Sequence, residues 1–187
     1  MTANSTSSIS ADTRICEVPV DYWIDKYGHL DLSSCYMRMG YDMFKVMNVS
    51  HEYYFAELQN LVAWDGLPIR GMNSEAKWRH LICKHGLDGP EIIPIRDIEL
   101  ERVKLLPLIK KTISGLGDID IYWQTNKKGN TDKIEIVVSG SDADYLVSLG
   151  YFDDHYVLRS AYHAGDAYIR KKVIPRGTLV KRIRNSA

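Results

Sequence analysis

Apolar residues recur at helical spacing up to Gly115 and alternate at strand spacing after it. Between residues 30 and 65 the pattern predicts a helical hairpin. Its first helix covers Cys35–Val46, after two serines that can cap it, and methionines recur along it at i, i+4 and i+8. Its second helix begins at Ser50 and runs to about Trp64, before a turn that contains glycine and proline.

Two further helices are predicted before the strands begin. The third runs from Glu75 to about His85, after an asparagine and a serine that can cap it, and Gly86 follows its end. The fourth covers Glu99–Ser114, and Pro107 should lie at its start or kink it, because proline removes a backbone donor and clashes with the preceding turn.

The last third of the chain predicts a β-meander. Asp118–Thr125 and Lys133–Ser139 alternate around a glycine-containing turn, which is typical of a hairpin. Later strands are predicted over Asp144–Phe152, His155–His163, Ala167–Ile174 and Leu179–Ile183, the last two with weaker patterns. Helices followed by strands predict an α+β fold in which the N-terminal helices pack with a C-terminal antiparallel β-meander.

The pattern divides the 187 residues into three parts. Residues 1–12 are rich in serine and threonine, lack the features of a signal peptide and predict a disordered leader. Residues 13–75 form a helical N-terminal extension, and residues 76–187 form an α+β domain. No apolar run approaches the roughly 18 residues that span a bilayer, so no membrane partner is expected. Three cysteines without metal-type spacing predict reduced thiols in the cytoplasm.

The net charge is zero, but positive charge is concentrated at the C-terminal end. Residues 151–187 hold 8 Lys and Arg against 3 Asp and Glu, whereas residues 1–75 hold 5 against 10. This asymmetry permits a basic surface for nucleic acid. A solvated face at a chain end is the alternative, and charge alone favours it.

The most concentrated chemistry lies between Lys77 and Gly86, which contain two histidines, two lysines and one arginine. His80 and His85 are five residues apart, about 140° around a helix, so both cannot bind one metal ion within a regular helix. The dipole at the helix end favours a protonated His85, and neighbouring cations disfavour a protonated His80. Such a pair can supply a base and an acid. A buried histidine beside a solvated one is the alternative.

A second candidate group follows in the predicted strand His155–His163. Strand periodicity places Tyr156, Leu158, Ser160 and Tyr162 on one face. Ser160 and Tyr162 then offer neighbouring hydroxyls that can bind a phosphate oxygen or orient a base, although a strand hydroxyl is usually structural. Lys171 follows on the next predicted strand.

These segments together resemble the barnase–EndoU–colicin–RelE-like ribonucleases, and the phage-encoded branches most. The resemblance covers about Lys77 to Lys172. It rests on a His-Leu-x-x-x-His-Gly pattern at His80, on Pro107-Leu-Ile-Lys-Lys-Thr-Ile, and on the late segment Asp144–His163. Ser160-Ala161-Tyr162 matches a Ser/Thr-x-Tyr segment of the last strand, with serine where threonine is common.

The resemblance implies a toxin-like, metal-independent endoribonuclease that attacks the RNA phosphate with its own 2′-OH. It needs no cofactor, its substrate is RNA, tRNA included, and a cognate inhibitor protein is a further expected partner. The implied catalytic residues are His80, His85, Ser160 and Tyr162, and the implied substrate-binding residues are Arg79, Lys84 and Lys171. The pattern does not decide which histidine is the base.

The main alternative is a non-catalytic phage or mobile-element protein that binds a host protein or nucleic acid. The basic cluster would then be a binding patch, and loss of one imidazole would only weaken it. A toxin that transfers ADP-ribose or a nucleotide is less favoured, because the chain has neither a clear glutamate motif nor a glycine-rich phosphate loop.

Overall fold

The computed structural model describes residues 24–83, 97–125, 132–138 and 145–184. Within these ranges, helices pack against a mostly antiparallel six-stranded sheet, which confirms the predicted α+β class. The predicted leader, residues 1–12, lies outside them, as do Lys84 and His85. No helix in the described ranges is both long and apolar enough to cross a bilayer.

The predicted helix over Cys35–Val46 is wrong. Strands β1 (Tyr36–Met37) and β2 (Gly40–Tyr41) form a short antiparallel hairpin there. Helix α1 (Met43–Glu57) follows, and the Asp42 side chain caps it by accepting hydrogen bonds from two backbone N–H groups of its first turn. A single helix thus replaces the last third of the predicted first helix and much of the predicted second one.

Helix α2 (Glu75–Ile82) begins where it was predicted. The Ser74 side chain accepts a hydrogen bond from a backbone N–H of the first turn. The helix ends at Ile82, before the predicted end near His85, because Cys83 is extended and forms a β-bridge with Ile98.

The predicted fourth helix is two helices, α3 (Leu100–Lys104) and α4 (Leu106–Ile113). Pro107 lies in the first turn of α4, where its missing N–H costs no hydrogen bond. The expected effect of this proline is confirmed.

Four consecutive strands form the predicted meander, and two more complete the sheet. The strands are β3 (Ile69–Arg70), β4 (Ile119–Gln124), β5 (Lys133–Val138), β6 (Tyr145–Phe152), β7 (His155–His163) and β8 (Thr178–Ile183). Their order in the sheet is β3-β7-β6-β5-β4-β8, in which the short β3 pairs in parallel with β7 and all other neighbours are antiparallel.

The predicted strand over Ala167–Ile174 is wrong. The chain is helical there, as a short α-helix (Asp166–Tyr168), a π-helix (Ile169–Val173) and a 3₁₀ turn (Ile174–Arg176). Ile169 and Val173 are buried, whereas Lys171 between them is exposed, which is a helical and not a strand pattern. We call residues 166–176 the helical segment.

The two faces of the sheet have different coverings. One faces the main core, where side chains of α1–α4 pack on alternate residues of the strands, Ile121, Ile136 and Leu149 among them. This core also holds Val46 and Tyr54 of α1, so the predicted boundary at residue 75 does not separate two cores. We call the opposite face the open face. The helical segment packs on part of it, against a smaller apolar cluster.

Candidate functional site on the open face of the sheet

A β-bulge in β7 decides which hydroxyls reach the open face. Ser160 pairs with Ser148, but the next pair is Leu158 with Leu149, so Arg159 is the extra residue. Leu158 packs in the main core, whereas Tyr162 packs against the smaller cluster on the other face. The prediction that Tyr156, Leu158, Ser160 and Tyr162 share one face is therefore wrong, because the bulge shifts the alternation.

Three polar residues form a row across the open face. Glu135 on β5 is opposite Ser148 on β6, which is opposite Ser160 on β7. Directly opposed residues of antiparallel strands project to the same face, so the three side chains are neighbours. Glu135 is only 2% exposed and Ser148 only 1%, whereas Ser160 is half-buried. A carboxyl group so deeply buried in a sheet is rare unless it is paired.

Glu135 is paired on one side only. Its Oε1 forms an ion pair with the Lys133 ammonium, while its Oε2 has no hydrogen-bond partner among the described residues. Burial raises the pKa of the Glu135 carboxyl, and the Lys133 hydrogen bond and the charges of Lys133 and Arg159 partly offset this rise. The result is a carboxyl group that takes up a proton more readily than an exposed glutamate does.

The Arg159 guanidinium lies over Gly150. A Cβ atom at Gly150 would be 2.8 Å from Arg159 Nε and 3.3 Å from a terminal guanidinium nitrogen. Gly150 pairs with Lys133 on one side and Val157 on the other, so the guanidinium crosses β6 beside Lys133. The bulge and the glycine together let this arginine lie along the sheet next to the buried carboxyl.

Tyr162 joins the sheet to the helical segment. Its hydroxyl is hydrogen-bonded to Tyr168, and burial together with this bond raises the pKa of Tyr162, so the phenol stays protonated. Ile169 and Val173 pack beneath the segment, and Lys171 is exposed on it. Three of the predicted site residues, Ser160, Tyr162 and Lys171, therefore belong to the open face or to the segment that packs on it.

The other predicted site residues lie elsewhere. His80 and Arg79 are half-buried on α2, whose apolar side chains belong to the main core. The Lys77 ammonium attaches α2 to β7 by donating to the Leu158 carbonyl oxygen over 2.7 Å. The structure thus places His80 and Arg79 across the sheet from Ser160 and Tyr162 and does not bring the two groups together. His85 and Lys84 lie outside the described residues.

Glu135, Lys133 and Arg159 were not predicted as site residues from the sequence. Lys133 and Glu135 alternate with isoleucines, and the segment Lys133–Val138 has the composition of an ordinary strand. The available signal was the spacing of Lys133 and Glu135. Two residues apart in a strand, their side chains lie on the same face and can form an ion pair. The burial of Glu135 depends on strands paired from elsewhere in the chain, so no local pattern shows it.

Among the described residues, no three His, Cys, Asp or Glu side chains are close enough together to hold a metal ion. The arrangement that the open face offers is a buried carboxyl group, two cations and the hydroxyls of Ser148, Ser160 and Tyr162. Comparison of the chain with protein-family models, with curated proteins and with solved structures found no match.

Proposed function

We propose that the protein is a metal-independent endoribonuclease whose active site lies on the open face around Glu135. One observation carries the proposal: a buried carboxyl group with a raised pKa is ion-paired with Lys133 and interacts electrostatically with Arg159. Such a group is a better general base near neutral pH than an exposed glutamate, and the cations suit a phosphate. The resemblance of Ser160-Ala161-Tyr162 to a ribonuclease strand supports the same region.

The proposed reaction has two proton transfers, one from the 2′-OH to the protein and one from the protein to the leaving 5′-oxygen. The Glu135 carboxylate takes the proton of the ribose 2′-OH, and the 2′-oxygen attacks the neighbouring phosphorus. Arg159 and Lys133 stabilise the charge on the pentavalent phosphorane. The Lys133 ammonium then gives a proton to the leaving 5′-oxygen and regains one from Glu135 through their ion pair. A 2′,3′-cyclic phosphate and a 5′-hydroxyl are the products, and the enzyme returns to its starting state.

The remaining residues bind and position the RNA. The Ser160 and Tyr162 hydroxyls orient the phosphate, because Ser160 belongs to the polar row and Tyr162 lies on the same face. Lys171, with the neighbouring Arg170 and Lys172, is exposed on the helical segment and attracts the RNA backbone. The positive balance of the C-terminal region thus supplies the electrostatic attraction.

The test is cleavage of total tRNA and mRNA in EDTA by the wild-type protein, Glu135→Gln and His80→Ala. We expect Glu135→Gln to lower the rate about 10²- to 10⁴-fold, the contribution of a general base, and His80→Ala to keep most of it. If His80→Ala instead loses more cleavage activity than Glu135→Gln, the active site lies at His80 on α2. No cleavage of either RNA by folded wild-type protein would refute the ribonuclease.

A non-catalytic, protein-binding function is the second candidate, and the β1–β2 hairpin favours it. Met39 at its tip is 98% exposed, and Tyr36, Met37 and Phe44 beside it are also exposed. Exposed methionine and aromatic side chains are typical of binding surfaces. If the protein inhibits the growth of a bacterial host, binding predicts that Met39→Lys abolishes the inhibition and Glu135→Gln does not. The ribonuclease predicts the reverse.

A further inference from the structure

The end of the β6–β7 hairpin carries a stacked ring pair on the open face. Phe152 and His155 are opposite each other, with ring centroids 4.7 Å apart and ring planes 3° from parallel. The preceding and following residues, Tyr151 and Tyr156, pack with the main core. Since side chains alternate along a strand, Phe152 and His155 lie on the face that holds Glu135.

Hydrogen bonds hold the inner ring of this pair. His155 Nδ1 is 2.5 Å from Asp154 Oδ1, and Arg70 donates to the other carboxylate oxygen over 3.0 Å. The bond to His155 holds the pKa of the Asp154 carboxyl below its usual range, so Asp154 is ionised and accepts from Nδ1–H. The His155 side chain is only 17% exposed, whereas Phe152 is 41% exposed. Phe152 is therefore the outer ring of the pair, and His155 packs against its inner face.

We infer that Phe152 is a stacking platform for an unpaired base of the RNA, next to the phosphate that Arg159 binds. This inference rests on the proposed function. Phe152 is two residues from Gly150 on the same face of β6, which is about 7 Å along the strand. A base stacked on Phe152 therefore lies beside a phosphate at the Arg159 guanidinium that covers Gly150.

The platform selects single-stranded RNA. A base within a duplex is covered above and below by its neighbours and cannot place its face on a protein ring, whereas an unpaired base can. Stacking on one aromatic side chain strengthens binding about 5- to 150-fold per base. The substrate class that follows is RNA with unpaired nucleotides at the cleavage site, such as loops and unstructured mRNA.

Phe152→Leu and Phe152→Trp separate stacking from packing. Leucine keeps an apolar side chain against His155 but has no aromatic face, and tryptophan offers a larger one. Fluorescence anisotropy would measure the Kd of a labelled, fully 2′-O-methylated oligonucleotide, which has no free 2′-OH to react. The same oligonucleotide annealed to its complement is the duplex control.

We expect Phe152→Leu to weaken single-strand binding at least about fivefold, with duplex binding unchanged, and Phe152→Trp to match or exceed the wild type. Equal affinity of wild type and Phe152→Leu for the single strand, an equal loss on the duplex, or no single-strand binding by the wild type would overturn the inference. Glu135→Gln distinguishes the two proposals. It should lower the cleavage rate about 10²- to 10⁴-fold, while Phe152→Leu should weaken single-strand binding in that background as it does in the wild type. A stacking effect without any cleavage by the wild type would refute the ribonuclease alone.

Discussion

Gly150→Ala adds one methyl group and tests the role of the open face without replacing a charged residue. The added Cβ would meet Arg159 at 2.8 Å, closer than such atoms approach in proteins, so the guanidinium must move off β6. Arg159 is exposed and its guanidinium is at the end of a long side chain, so it can move without unfolding the sheet. Gly150 is not among the glycines with positive φ, and alanine adopts its backbone conformation without strain.

The structure predicts opposite effects on stability and activity. Replacing glycine within a strand by alanine should leave the free energy of unfolding unchanged or raise it by about 0.5–1 kcal/mol. A displaced guanidinium loses charge-assisted hydrogen bonds to the phosphate, worth about 1.5–3 kcal/mol. This corresponds to a fall of about 10- to 100-fold in kcat/KM for RNA cleavage.

Urea denaturation and initial cleavage rates would be measured for the wild type, Gly150→Ala, Arg159→Ala and the double variant. Gly117→Ala is the matched control, because its Cβ would make an ordinary 3.5 Å contact with Lys111. If Arg159 carries the effect, the double variant should be no less active than Arg159→Ala. Full activity in Gly150→Ala, or equal further losses in both backgrounds, would refute this reasoning.

Three further predictions concern stability. The raised pKa of Glu135 means that the native state holds this proton more tightly than the unfolded chain does. The free energy of unfolding of the wild type should therefore fall as pH rises from the ordinary pKa of 4.5 to the raised native pKa, and then level off. Urea denaturation of Glu135→Gln should lack this fall, and parallel pH profiles of the two proteins would contradict the prediction. Asp42→Ala removes the cap of α1 and should lower the free energy of unfolding by about 1 kcal/mol, whereas an unchanged midpoint would show that the cap is dispensable. Tyr162→Phe breaks the bond to Tyr168 and should cost about 0.5–1.5 kcal/mol and speed amide exchange in the helical segment, and unaltered exchange there would contradict the attachment.

The C-terminal strands could be predicted from the sequence because their alternation is local. The bounds of β7 agree with the prediction, and β5 and β6 cover the described part of their predicted ranges. Alternation could not reveal the bulge at Arg159, because a bulge is defined by how β7 pairs with β6 and not by the residues of β7 alone. That one residue reverses the face of Ser160 and Tyr162, so the strand was predicted correctly and its site-bearing face was not.

In the N-terminal part, the apolar spacing predicted the wrong secondary structure. Methionines at i, i+4 and i+8 favoured a helix through Cys35, yet Met39 is exposed at a hairpin tip. The competing local signals were Gly40, whose φ of 134° suits a turn, and Asp42, whose side chain caps α1. Apolar spacing alone cannot distinguish a buried stripe from an exposed cluster, because burial depends on the rest of the chain.

The candidate site was predicted in part. Ser160, Tyr162 and Lys171 were identified from the sequence, and the structure places them on or beside the open face. The concentration of charge around His80 drew the prediction to α2, whereas Glu135 is isolated in its sequence and becomes notable only through burial and pairing with Lys133.

The most direct test of the ribonuclease uses one substrate pair in EDTA. After the cleavage site in an RNA is mapped, the same RNA is made with a single 2′-deoxynucleotide on the 5′ side of the cleaved phosphate. The proposed mechanism predicts a 2′,3′-cyclic phosphate from the unmodified RNA and no cleavage at the modified position, because the nucleophile is missing. Cleavage of both RNAs at that position, or of neither, would contradict it.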